Sequence, residues 1–341
     1  MANLIVSTAC NMSCSFCFAR EQMTGASEDS LQFIPLEVFD EQLEFLARSG
    51  IEQIRLIGGE PTIHPRFPEL IEHARGHHIV VFTSGLVPER ALACLERFPE
   101  SECTVIVNTN ATRRPDGPNA TELRRRAAVV RRLGPRALLG FTIFRVDFDL
   151  DPLLALIGES GAAPAIRLGL AQPILGGHNE YLRPKLYPIV GRRIVDFAER
   201  AARDGVRLEL DCGFVRCMFG DDDLLSLKHA GADLGWRCSP ILDVGLDGTV
   251  YHCFPLAGLF DTRLTPDLDA NRLHEHFEAR TSPYRLAGIY RRCSRCALKQ
   301  QGECTGGCLA ATVRRYRHRA VRVAVPGAVT LEGCETPEPG K

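Results

Sequence analysis

Three cysteines, Cys10, Cys14 and Cys17, fall within eight positions of the stretch TACNMSCSFCFAR. Thiolates are soft donors that suit iron–sulfur clusters or zinc. A structural zinc site needs a fourth ligand, and no Cys or His follows within the next dozen residues. A four-iron cubane held by only three cysteines keeps one iron free, and an open iron is where a substrate or cofactor binds. After this triplet only Cys94 and Cys103 precede position 212. The other nine of the fourteen cysteines stand at 212, 217, 238, 253, 293, 296, 304, 308 and 334. In a reducing compartment such density argues for metal or redox chemistry rather than disulfides. Cys94 and Cys103 have no partners at ligand spacing and read as small buried hydrophobes. The crowding of cysteine beyond 210 proposes two domains, 1–210 and 211–341.

The elements that must position these residues are readable from periodicity. The triplet follows directly on NLIVST (3–8), a strand-like run, and so sits in a loop at that strand's C-terminal end. Further buried-type strands are QIRLIGG (53–59), HIVVFTSG (78–85), CTVIVNTN (103–110), ALLGFTIF (137–144) and AIRLGLAQ (165–172). Helical spacing occupies 35–50, 88–97, 121–132 and 151–158, and a longer helix over 183–204 leads to VRLELDC (206–212). Strands alternating with helices imply an α/β fold with a parallel sheet or barrel, whose active face lies at the C-terminal strand ends. After 212, short strands (ILDVG, TVYHC), many Gly and Pro, and paired cysteines indicate a small loop-rich domain stapled by metal.

Composition narrows the class. With 41 basic and 42 acidic residues the formal net charge is −1, which gives no bulk attraction to nucleic acid or an anionic membrane. The start, MANLIVSTAC, has neither the basic n-region nor the long apolar core of a secretory signal, and no apolar run is long enough to span a bilayer. A cytoplasmic protein is expected. The basic stretch RRYRHRAVRV (314–323) is read as a solvated face.

Two N-terminal motifs together resemble the radical S-adenosylmethionine (radical SAM) superfamily. The first is the cysteine triplet with Phe16 just before its last member. The second is LIGGEPTIHP (56–65), with Gly58-Gly59-Glu60-Pro61 closing the second strand. The resemblance implies a partial (β/α)6 TIM-like barrel and a 4Fe–4S cluster whose open iron is chelated by the amino and carboxylate groups of S-adenosylmethionine. An electron from the cluster then cleaves the sulfonium to a 5′-deoxyadenosyl radical that abstracts a substrate hydrogen. It further implies that the GGEP stretch binds the methionyl amino group. By the same likeness Ser84, Asn108 and Arg145, at successive strand ends, are candidate cofactor contacts.

The C-terminal series resembles the SPASM extension of that superfamily. Cys238-x9-Gly248-x4-Cys253 is followed by Cys293-x2-Cys296-x7-Cys304-x3-Cys308 and then Cys334. The interval from Cys296 to Cys304 is two residues longer than the usual pattern. The likeness implies two auxiliary 4Fe–4S clusters, making three in all. One would take Cys238, Cys253, Cys308 and an upstream cysteine; the other would take Cys293, Cys296, Cys304 and Cys334. Cys212 and Cys217 are both upstream. Cys217 is preferred, because Cys212 ends a strand and is expected to point into the core. A zinc ribbon is the alternative for these spacings.

The resemblance fixes the initiating chemistry but leaves the substrate open. Modification of a ribosomally made peptide is the leading expectation. The alternatives are a small metabolite, such as a sugar, aminocyclitol or nucleoside, and a non-catalytic zinc or iron–sulfur protein. The nine residues before Cys10 leave no room for an N-terminal peptide-recognition domain, so a separate recognition protein is a possible partner. Flavodoxin or ferredoxin is the implied electron donor. Sulfatase-maturing members carry Asp after the cysteine equivalent to Cys253; Phe254 here disfavours that activity. Asp211, Asp243 and His252 are candidate acid–base groups beside ligand cysteines, with Asp147 and Gln172 beyond other strand ends.

Overall fold

The computed structural model describes residues 1–20, 32–114, 117–175, 177–239 and 241–316. β1 (Ala2–Ser7) runs into the cysteine loop, and α1 (Leu36–Arg48) returns the chain to β2 (Gln53–Gly58). The pattern repeats through α2 (Phe67–His73), β3 (His78–Thr83), α3 (Glu89–Glu96) and β4 (Cys103–Asn108). A two-strand ribbon, β5 (Arg113–Arg114) with β6 (Gly117–Pro118), precedes α4 (Ala120–Leu133), β7 (Ala137–Ile143), α5 (Asp151–Ser160) and β8 (Ala165–Leu170). α6 (Tyr187–Arg203) follows a single 3-10 turn at Pro184–Leu186 and leads to β9 (Arg207–Leu210). Neighbouring strands from β1 to β9 in the main sheet pair in parallel, with β7 beside β4.

Alternation along these strands explains the layers. Ile54 and Leu56, Ile79 and Val81, Val105 and Val107, and Leu168 are fully buried. That is the outer, helix-covered face, where period-two spacing places every second residue. The residues between them, such as Arg55, Phe82 and Arg167, face the other way. Arg55 on β2 and Arg167 on β8 both lie over the Phe82 ring on β3, at 5.0 and 5.2 Å. β8 is separated from β3 by β7 and β4, so a contact between them requires the sheet to curl. The result is the expected partial barrel, with these side chains in its lumen.

The sheet does not stop at residue 210. After α7 (Asp221–His229) and the short β10 (Asp233–Leu234), β11 (Leu242–Val244) pairs in parallel with the free edge of β1. The register sets Ala2 opposite Leu242 and Leu4 opposite Val244. β12 (Thr249–Tyr251) and β13 (Asp261–Arg263) extend it antiparallel to an eleven-stranded sheet. α8 (Ala270–Ala287), α9 (Ala297–Gln300) and α10 (Leu309–Tyr316) complete the described chain. α8 has no counterpart in the sequence reading. Its buried residues form a thin stripe, Ala270, Leu273, Phe277 and Thr281, and Pro283 lies inside it. Neither feature advertises a helix. Among the described residues no helix is long and apolar enough to cross a membrane.

Candidate functional site

The cysteine loop is gripped by the end of β2. Gly59 N–H donates to Ser7 O at 2.7 Å and Glu60 N–H to Ala9 O at 2.9 Å. A Cβ on Gly58 would lie 2.2 Å from Ser7 O, and one on Gly59 would lie 2.2 Å from Ala9 O and 2.9 Å from Cys10 Cβ. The backbone that these glycines admit is therefore the loop of the chain itself. Pro61 is buried in the one-turn 3-10 helix that follows. Glu60 is fully buried. Its Oε1 accepts from Thr62 N–H at 3.2 Å, Thr62 Oγ1 at 2.6 Å and Thr83 Oγ1 at 2.8 Å, and its Oε2 accepts from Ser84 N–H at 2.6 Å. A buried carboxylate survives only when its lone pairs are engaged in this way, and here it ties β2 to β3. Ser84 in turn donates from Oγ to Asn11 Oδ1 at 3.1 Å, reaching the cysteine loop.

Arg126 of α4 was not singled out in the sequence, yet its side chain is buried beneath the loop. Nε donates to Ser84 O at 2.7 Å, Nη1 approaches Glu122 at 3.4 Å and Nη2 lies 3.8 Å from Met12 Sδ. The available signal was an arginine on the apolar stripe, since Arg126 is buried together with Val129, Val130 and Leu133. Arg126→Met keeps the stem but leaves Glu122 without its cation. The variant should lose about 3 kcal/mol, the lower end for breaking a buried pair, in denaturant unfolding. A change within about 0.5 kcal/mol, as for an ordinary surface site, would mean that the guanidinium supports nothing.

The opposite side of the loop is held by the segment after β8. Phe16 stacks on Phe144 with centroids 4.6 Å apart, and its carbonyl accepts from Asn179 Nδ2 at 3.1 Å. Glu180 N–H donates to Ser15 O at 2.8 Å, and Ser15 Oγ donates to Glu180 Oε2 at 3.0 Å. Cys10, Cys14 and Cys17 are gathered between these clamps. Burial, then the charges of Cys17 and Cys10, push the Cys14 thiol up to about 12. Burial is also the main cause that raises Cys10 and Cys17. Asn108 and Arg145 are engaged locally: Asn108 Oδ1 accepts from Asn110 N–H at 2.9 Å, and exposed Arg145 pairs with Asp147 at 3.4 Å.

The acid–base candidates are occupied otherwise. Asp211 is exposed at its strand end and pairs with Arg167 at 2.6 Å. Asp243 is buried, accepting from Asn3 Nδ2 and from Phe254 N–H, both at 2.7 Å. It thereby joins β11 to β1 and to the turn after Cys253. Burial lifts its carboxyl to about 6 against those two hydrogen bonds. His252 is buried with its ring 5.2 Å from that of Phe277 and Nε2 3.5 Å from Arg285. Burial and then the Arg285 charge hold the imidazole down to about 3, so it is neutral and a poor proton donor at ordinary pH. Gln172 is buried and donates from Nε2 to Leu170 O at 3.1 Å.

The C-terminal cysteines form two groups. Cys212 lies within electrostatic reach of Cys308, Cys238 and Cys253. Burial first, then these neighbours, raise its thiol well above the usual range, and Cys253 is raised for the same reasons. Cys212 retains accessible surface although it is heavily desolvated, which describes a side chain facing a recess rather than the outer surface. Cys308 precedes α10; burial raises its thiol, and the backbone N–H groups of Ala311 and Ala310 work against that rise. The sequence expectation grouped Cys217 with Cys238, Cys253 and Cys308; in the structure it is Cys212 whose thiol lies within electrostatic reach of those three. β9 ends at Leu210, so the alternation that would have turned Cys212 into the core stops before it. Cys217 lies with Cys293, Cys296 and Cys304 on the wall of one pocket. Cys103 is buried and Cys94 half-buried, while Cys334 lies outside the described residues. Among the described residues no three ligating side chains converge as they would on a single ion.

Residues 4–142 match the Radical SAM superfamily. The chain is 30% identical over 98 residues to a GTP 3′,8-cyclase of Chlorobaculum tepidum, covering 27% of this chain and 28% of that protein. It is 37% identical over 78 residues to an S-adenosylmethionine-dependent nucleotide dehydratase of Flammeovirga pacifica, covering 22% and 27%. The match thus spans under a third of either relative. Solved structures of similar fold include Streptococcus suis SuiB bound to S-adenosylmethionine, with a TM-score of 0.66 at 12% identity over 92% of this chain and 73% of that one. Another is anSMEcpe with bound AdoMet and the Kp18Cys peptide, with a TM-score of 0.62 at 19% identity over 90% and 88%. Residues 4–142 thus match a radical SAM domain, and the chain shares the partial α/β barrel fold of these solved structures.

Proposed function

We propose that the protein is a radical SAM enzyme that modifies a peptide, with 1–210 serving S-adenosylmethionine and the region from 211 onward serving two auxiliary clusters. The observation that carries this reading is the cysteine loop itself. Three gathered thiols sit at the C-terminal edge of a barrel, fixed by Gly58, Gly59 and Glu60 on one side and by Phe144, Asn179 and Glu180 on the other. A cluster bound by three thiolates supplies an open iron for the cofactor and the electron that cleaves it to a 5′-deoxyadenosyl radical. Cys10, Cys14 and Cys17 hold that cluster. Glu60 and Ser84 support the adjoining wall, and Phe16 packs beneath it. Asn108 and Arg145 remain candidates for the outer parts of the cofactor. Cys212, Cys238, Cys253 and Cys308 form a four-thiol set for the first auxiliary cluster. The peptide substrate is supported by the structural likeness to anSMEcpe with its bound peptide.

A second reading, an anionic small molecule such as a nucleotide, is favoured by the lumen. Arg55 and Arg167 stand over one ring there, and Arg55 Nε is buried without a partner. Anaerobic reconstitution followed by iron, sulfide and zinc assay should return about twelve irons, the count for three cubanes. Dithionite-reduced protein should also release 5′-deoxyadenosine from S-adenosylmethionine. Stoichiometric zinc without iron, or no deoxyadenosine from iron-loaded protein, would remove the reading. Nucleotides that suppress or enhance deoxyadenosine release where peptides do not would favour the second substrate class.

A further inference from the structure

A pocket between the 3-10 turns Arg216–Met218 and Arg291–Arg295 is lined by four cysteines, Cys217, Cys293, Cys296 and Cys304. We propose that Cys217 is the fourth thiolate of an iron–sulfur cluster bound in this pocket, which completes its ligand set without Cys334. The inference rests on the iron–sulfur reading above and departs from the ligand set implied by the SPASM likeness. A fully ligated four-iron cubane takes one terminal thiolate per iron, and this pocket already presents four.

Each thiol is placed by its own local device. Cys217 sits in the one-turn 3-10 helix Arg216–Met218, pressed so closely on α6 that a Cβ on Gly191 would lie 2.4 Å from Met218 O. Cys293 lies within the 3-10 turn Arg291–Arg295, and Cys296 follows it with its N–H donating to Cys293 O at 3.3 Å. Cys304 Sγ accepts from Gly306 N–H at 3.3 Å. The Arg292 guanidinium, stacked over Tyr290 at 5.0 Å, also lines the pocket. Tyr290 is anchored by its hydroxyl, which donates to Pro184 O at 2.7 Å. A cation on the pocket wall and an N–H aimed at Cys304 both favour thiolate sulfur, as a cluster ligand requires.

The test uses the full chain, reconstituted anaerobically, as Cys217→Ala, Cys217→Ser and Cys334→Ala beside the parent. Iron content and EPR of the reduced and oxidised protein are the readouts. Cys217→Ala should lose between one and four irons, with a three-iron signal on oxidation if only the open corner is lost. Cys217→Ser should retain iron but shift the g-values of one cluster, which a merely structural thiol would not do. Cys334→Ala should match the parent in both. Parental iron and spectra in both Cys217 variants would overturn the proposal, as would the same losses in Cys334→Ala. Iron from a single cluster only in the parent would also overturn it. Deoxyadenosine release in the parent reports separately on the radical SAM reading, so failure of one is not mistaken for failure of the other.

Discussion

Deoxyadenosine release is expected to fall to the background of the assay when Cys10, Cys14 and Cys17 are replaced together by Ala. The variant should bind about four fewer irons than the parent, one cubane's worth, and should keep the remainder. The fold around the loop gives no reason for collapse. The bonds that hold it, Gly59 N–H to Ser7 O and Glu60 N–H to Ala9 O, run through backbone and do not involve sulfur. Ala keeps the Cβ of each position, and removing three partly exposed thiols costs little packing. The loss should therefore be chemical rather than structural, visible as unchanged far-ultraviolet circular dichroism beside absent cleavage. Persistent deoxyadenosine would place the cofactor's partner elsewhere in the chain.

Gly59→Ala should be a strongly damaging single methyl addition at this edge of the barrel. The atoms that it meets, Ala9 O at 2.2 Å, Ala9 C at 2.6 Å and Cys10 Cβ at 2.9 Å, are backbone or attached directly to it. No rotamer change relieves the overlap, so either the cysteine loop or the end of β2 must move, with loss of the hydrogen bonds between them. Overpacking typically costs 1–3 kcal/mol, and roughly 3 kcal/mol is expected here because rigid groups are on both sides. The same displacement should weaken iron retention at Cys10, Cys14 and Cys17. Gly158 in α5 is the control, because a Cβ there meets nothing within 4 Å and its φ is ordinary. Gly158→Ala should be neutral or stabilising by up to about 1 kcal/mol through helix propensity. Equal unfolding midpoints for the two variants would show that the close approach carries no energetic weight.

Much of the barrel was legible because buried parallel strands are nearly uninterrupted apolar runs. The starts of β2, β3, β4, β7 and β8 coincide with the first residues of the runs read from sequence, and each run overshoots the end of its strand by one or two residues. The cysteine loop and GGEP were legible for a different reason: their residue types are rare and their spacing is local. What spacing does not carry is the direction of a side chain after a strand has ended, which is why Cys212 was expected in the core and is instead exposed. Arg126 escaped notice because it lies within a run of arginines on a helix, and only its helical phase separates it from its solvated neighbours. The pairing of β11 with β1 was invisible because a three-residue strand carries no record of its partner.

That pairing has a consequence for the order in which the protein is made. β1 can meet β2 once residue 58 has left the ribosome, but its other edge has to wait for residues 242 to 244. At roughly 5–20 residues per second the interval is on the order of 10–40 s. Throughout it the nascent chain exposes an unpaired strand edge directly before its first three cysteines. Ordering that edge closes a loop of some 240 residues, so this step in assembling the sheet is intrinsically slow. The cysteine triplet is thus buttressed on both edges of its strand only after residues 242 to 244 have been made. Delivery of iron and sulfide during translation would meet a loop anchored on one side alone.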